Sequence, residues 1–179
     1  MPMPDLVMLP TEENKQALVE RLGDARNGLL RVVRDLPADQ LLIPVLDEGW
    51  SARDIVGHVA SWEDRLLTLA QMLINREEHK IEWLEGEEGV NAWNHKEFLR
   101  KRDWTWEETI RNLALIREEL LWNLGWATPE DLFDLHVASG ATVNAAAMME
   151  EVIAHDVEHT VHLQAWLARQ SDATGVAKS

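Results

Sequence analysis

Four long stretches of this chain repeat their apolar residues with the 3.6-residue period of an α-helix, and none shows the strict alternation of a strand. A helix of this kind carries one apolar stripe that must be covered. Four of them in one chain cover their stripes against one another. The expected fold is therefore all-α, a four-helix bundle with short extra helices in the connections.

The first run spans about Thr11 to Leu36, with Thr11 as N-cap and acids in the first turn. Leu18, Leu22, Leu29, Val32, Val33 and Leu36 form its stripe, and Pro37 ends it. The second starts at Ser51, which pairs with Asp54 as an S-x-x-D capping box. Ile55, Val59, Trp62, Leu66, Leu69 and Leu73 follow as one stripe, with His58 on its border. The third starts at Thr105, boxed with Glu108, and Gly125 reads as its C-cap glycine. The fourth runs from about Thr142 to Arg169, with Met148, Val152, Leu163 and Trp166 on its apolar face. His159 lies within that face and His155 at its edge.

Between these runs, Asn75 to Gly89 and Leu135 to Gly140 read as loops. A short helix is expected from Asn91 to about Lys101, and one turn at Thr128-Pro129-Glu130. No linker divides the chain, so residues 1–170 are expected to form a single domain and 171–179 a disordered tail.

The 179 residues include 32 acids against 17 Lys and Arg, a formal net charge of −15 that repels phosphate backbones and anionic lipid. Neither nucleic acid nor membrane is an expected partner. An acidic field favours cationic substrates or serves only solubility, and solubility is the plainer reading. There is no cysteine, which excludes disulfides, thiolate ligands and a cysteine nucleophile. The N-terminus lacks the basic start and apolar run of a secretory signal, so a cytoplasmic location is expected. Aromatic residues are nine Trp, two Phe and no Tyr. Most of the Trp are expected in the core, and two or three in the wall of a pocket.

His155 and His159 stand one helical turn apart and project from one face. With His58 from the facing helix, three imidazoles can converge on one ion and leave a fourth position open, as catalytic metal sites do. The bland alternative is three hydrogen-bonded histidines of an amphipathic bundle. His162 falls near the same stripe and is read as a rim residue. His79, His95 and His136 lie in loop-like or short-helix sequence and rank below His58. The string His155-Asp156-Val157-Glu158-His159 has the spacing of the HExxH peptidase motif, with Asp in place of its general-base Glu. A peptidase of that class is not expected.

The segment from Gly49 to Trp62 resembles the W-[ST]-x-x-[DE]-x-x-x-H-x-x-x-W signature of the DinB-like superfamily, and His155 to Trp166 is similar to its closing H-x-x-x-H helix. Val90-Asn91-Ala92 followed by Arg100-Lys101-Arg102 resembles the central stretch of the branch that holds the ClbS/DfsB-type colibactin self-resistance proteins. The resemblance runs from about Leu18 to Leu167. It implies a four-helix bundle with His58, His155 and His159 as a facial metal triad for Zn²⁺ or Ni²⁺. It implies an enzyme that activates water or a low-molecular-weight thiol against a small electrophilic substrate, as a hydrolase or thiol transferase. It also implies a homodimer. His162 departs from the pattern, standing where many relatives carry Gln.

On that reading Trp50, Trp62, Trp93 and Trp166 line the substrate pocket. Asp54, Asp156 and Glu158 are acceptors for the ligand imidazoles, and Asp156 ranks first as general base. Two other classes stay open. One is a binding protein that sequesters a small toxic molecule without turnover. The other is a dimerisation module with no substrate.

Overall fold

The computed structural model describes residues 9–176 apart from 35, 37, 47 and 48, with side chains described up to residue 170. The four bundle helices are α1 (Glu12–Arg34), α2 (Ala52–Ile74), α4 (Trp106–Trp126) and α6 (Ala145–Val176). Between α2 and α4 lies α3 (Gly86–Lys101), and after α4 comes the short α5 (Pro129–Phe133). α6 packs along both α1 and α2, and α2 also packs along α4. No helix among the described residues is long and apolar enough to cross a membrane.

Local chemistry sets most helix starts. The expected capping boxes form at Ser51–Asp54 and Thr105–Glu108, and a third forms at Thr128–Asp131. α6 starts where the Asn144 side-chain oxygen accepts from the Ala147 N–H at 2.8 Å. Pro37, the expected stop of the first helix, lies outside the described residues, and α1 ends at Arg34.

Several boundaries differ from the sequence reading. α3 begins at Gly86, five residues before Asn91, with Glu85 as N-cap. Gly125 does not cap α4, which runs one residue further to Trp126 with Ala127 as its C-cap. The segment read as a loop at Leu135 to Gly140 enters a two-stranded hairpin, β1 (His136–Ala138) with β2 (Ala141–Val143). Ser139 at φ 50° and Gly140 at φ 83° supply the two positive φ angles of a tight hairpin turn. Strands this short give no alternation to read. The backbone after Gln170, expected to be a disordered tail, continues as helix to Val176, and residues 177–179 lie outside the described residues.

The apolar core has two parts. One gathers Leu22, Leu66, Leu120 and Val152, and the other Leu29, Val59, Leu113 and Leu163. In sequence, each bundle helix passes from one part to the other through one charged residue: Arg26, Glu63, Arg117 and Asp156. All four are buried. α3 is fastened across the outside of α2 by three polar ties. Trp62 Nε1 donates to Asn94 Oδ1 at 2.9 Å, Ser61 to Glu97 at 3.0 Å, and Lys101 Nζ to the Gly57 carbonyl at 2.8 Å.

Candidate metal centre

His58 sits on the second turn of α2, placed by the Ser51 cap, and His155 and His159 sit one turn apart on α6. The α2–α6 packing brings the three rings together. Nε2 of His155 lies 3.1 Å from Nε2 of His58 and 3.0 Å from Nε2 of His159. Three ligands about 2.0 Å from a tetrahedral ion stand about 3.3 Å from one another. The nitrogens therefore converge at nearly the spacing that a bound ion imposes. Among the described residues these three form a group that could hold a metal, with His159 buried and the other two half-buried.

The environment keeps the rings neutral, which is the ligating form. Burial pushes His58 down to about 2, helped by His155, His159 and Lys101. It pushes His159 down to about 3, helped by His155 and His162 against an opposing pull from Asp156. His155 falls to about 4 through burial and then the Arg26 guanidinium. Three neutral nitrogens this close repel through their lone pairs unless a proton or a cation sits between them, so the donor set fits a divalent ion.

None of the expected acceptors is hydrogen-bonded to these rings. Asp54 takes the Ser51 N–H at 3.0 Å, the Ser51 hydroxyl at 2.6 Å and Arg53 at 3.0 Å. Glu158 is exposed. Nδ1 of His58 and of His159 are buried without a protein partner among the described residues.

Asp156 is placed away from the role of general base. It is fully buried, and its side chain joins the charged layer in the core. Its Oδ1 accepts from Arg26 Nη2 at 3.0 Å, and its Oδ2 from Arg26 Nε and Arg117 Nη2, both at 3.0 Å. Glu63 completes the layer by accepting from Arg26 and from Arg117 Nε. A carboxylate held on both oxygens by two guanidiniums has no basic lone pair to turn toward a substrate. Successive residues on a helix project about 100° apart, so His155 faces α2 while Asp156 faces the bundle axis.

The triad opens into a cleft of about 940 Å³, within the range of small-molecule sites. Trp50, Trp62, Trp83, Phe98, Leu66 and Met148 form its apolar lining. Trp50 stands edge-on to His58 at 4.7 Å, and Trp62 lies 6.1 Å from His155. Two of the four expected pocket tryptophans, Trp50 and Trp62, are thus in the lining. Trp93 packs on Trp62 at 4.6 Å and borders a neighbouring groove. Trp166 is 2% exposed and belongs to the core. Trp83 was hidden in sequence by its place in a connecting segment. The hairpin holds it there, because its Nε1 donates to the Ala138 carbonyl at 3.2 Å.

His162 borders the cleft with its ring 5.4 Å from that of His159, and His95 borders it from α3. His136 is remote from the triad in function: its Nδ1 meets Glu78 at 2.6 Å, tying β1 to the connection after α2.

The helical bundle thus brings three imidazoles from two helices together as a group that could hold a metal, on the wall of a cleft with room for a small molecule. The chain belongs to the DinB superfamily, whose family model matches residues 21–163. Two solved structures share the fold. An uncharacterised protein from Escherichia coli UTI89 superposes with a TM-score of 0.74 at 12% identity, covering 88% of this chain and 94% of its own. YfiT from Bacillus subtilis, described as a probable metal-dependent hydrolase with an unusual four-helix bundle topology, gives 0.67 at 16% identity, covering 90% of each chain. No curated protein matches the sequence.

Proposed function

We propose that this protein is a divalent-metal-dependent enzyme that directs water or a low-molecular-weight thiol at a small electrophilic substrate, as a hydrolase or thiol transferase. The observation that carries the reading is the convergence of three Nε2 atoms, at 3.0 and 3.1 Å, on the wall of a cleft of substrate size. The description of YfiT as a probable metal-dependent hydrolase agrees with it.

His58, His155 and His159 would hold the ion, Zn²⁺ or Ni²⁺. When bound, the ion acidifies a water or thiol and polarises the electrophile. As neutral ligands the histidines leave its full positive charge to act. The chain has no cysteine, so a thiol nucleophile must be a free cofactor. The Trp50 and Trp62 rings flank the triad and make its surroundings apolar.

Elemental analysis of the purified, untagged protein tests the site. About one equivalent of Zn²⁺ or Ni²⁺ is expected, and it should be lost when His58, His155 and His159 are all replaced by Ala. Retention of the metal by the triple variant, or failure of the native chain to take up either ion, overturns the reading.

A further inference from the structure

Resting on that reading of the cleft, we propose that its substrates are cationic: an apolar or aromatic body carrying an ammonium, amidinium or guanidinium group. The electrophilic carbon lies at the histidines, and the cation is held by Glu151 and Glu158.

Both glutamates border the same cleft as the triad. They share one face of α6 with His155, Glu151 four residues before it and Glu158 three after. At 1.5 Å per residue, the two lie roughly 6 Å and 4.5 Å along the helix from the ligand, on either side of it. Neither carboxylate has a hydrogen-bond or ion-pair partner among the described residues. Their neighbour Glu150 is different: it points away and pairs with Arg21 at 2.6 Å.

Among the described lining residues Arg65 is the one Lys or Arg side chain, and it is committed. Its Nη2 donates to the Glu82 carbonyl at 2.8 Å, and its guanidinium lies 5.6 Å from the centre of the Trp93 ring. The cleft therefore presents two carboxylates with no ion-pair partner among the described residues, against one guanidinium held over Trp93, and carboxylates and aromatic faces both attract a cation.

Three matched probes test the proposal: 2-naphthylmethylammonium, the neutral 2-naphthalenemethanol and the anionic 2-naphthoate. Binding is measured by calorimetry on chelator-treated, metal-free protein, so that no probe can coordinate an ion. The ammonium should bind about ten-fold tighter than the alcohol, with the carboxylate weakest, and added salt should erode the difference. Glu151→Gln with Glu158→Gln should bring ammonium and alcohol to parity, while Glu150→Gln leaves the preference intact.

Equal affinities for the three probes, or no heat from the ammonium, overturn the proposal. So does an equal effect of Glu150→Gln, which would assign the preference to the overall charge. A cation preference in a protein that takes up no metal would overturn the enzymatic reading and leave the cation site standing.

Discussion

Arg26 on α1 and Asp156 on α6, 130 residues apart in the chain, meet as a bidentate pair, with Arg26 Nε and Nη2 each 3.0 Å from a carboxylate oxygen. Arg117 and Glu63 close the arrangement, so each of the four bundle helices contributes one charge to a neutral, buried layer. Asp156→Ala leaves two buried guanidiniums sharing one carboxylate. The expected loss is about 3–5 kcal/mol in urea unfolding. Replacing all four residues by apolar side chains of similar volume should restore much of that stability, because the desolvation of the ions disappears with them.

Within the triad, His155 stands between the other two rings and makes both close contacts. His155→Ala should therefore abolish tight Zn²⁺ or Ni²⁺ binding, as measured by competition with a chromophoric chelator. His162→Gln should leave the affinity within about three-fold, since that ring borders the cleft at one remove. Loss of metal in His162→Gln would place His162 among the ligands.

The three lowered histidine pKa values make metal-free stability depend on pH. Each folded ring resists protonation that the unfolded chain accepts at the ordinary value of 6.5. Below that pH the unfolded state binds more protons, so stability falls as pH falls. The loss begins near 6.5, is steepest between that value and about 4, and slackens once His155 itself takes up a proton there. Urea unfolding of metal-free protein at about pH 7 and about pH 5 should show this loss, and a triple Ala variant should show much less of it. Equal slopes would mean that the rings are not held neutral.

The tryptophans separate by role. Trp166→Ala empties a core position and should cost about 3–5 kcal/mol. Trp50→Ala removes a half-buried wall residue, should cost far less stability, and should weaken binding of the naphthyl probes. The opposite pattern in thermal unfolding and calorimetry would reverse the two assignments.

The bundle was legible because its signals are local. The capping boxes at Ser51 and Thr105 are four-residue patterns, and the apolar stripes recur within single helices. The triad was legible for the same reason at His155 and His159, and through a family-like segment at His58. The charged layer was not read, although each member leaves a trace. Arg26 falls four residues after Leu22 and three before Leu29, and Glu63 and Arg117 hold the same offsets from Val59 and Leu66 and from Leu113 and Leu120. A charge at a core position of a stripe signals burial, but only the tertiary fold shows which charges meet. The same limit misplaced Asp156. Its place on the core-facing side between two candidate ligands suggested chemistry, while the same side turns its carboxylate to the two guanidiniums at the bundle axis. The hairpin is local, but strands of three residues give no alternation to read. The place of Trp83 rests on a contact between segments more than fifty residues apart, and no window along the chain contains both.

The charged layer also works as a datum for height. Apolar stripes are forgiving: a helix that slides by one turn meets new leucines much like the old ones. Four complementary charges meet at a single setting, and a one-turn slip of α6 would strand Asp156 among hydrocarbons and leave two guanidiniums bare. Because His155 is the next residue along, the same setting fixes how far up the bundle its ring stands opposite His58. The core can drift in sequence above and below that mark while the altitude of the histidines stays constant.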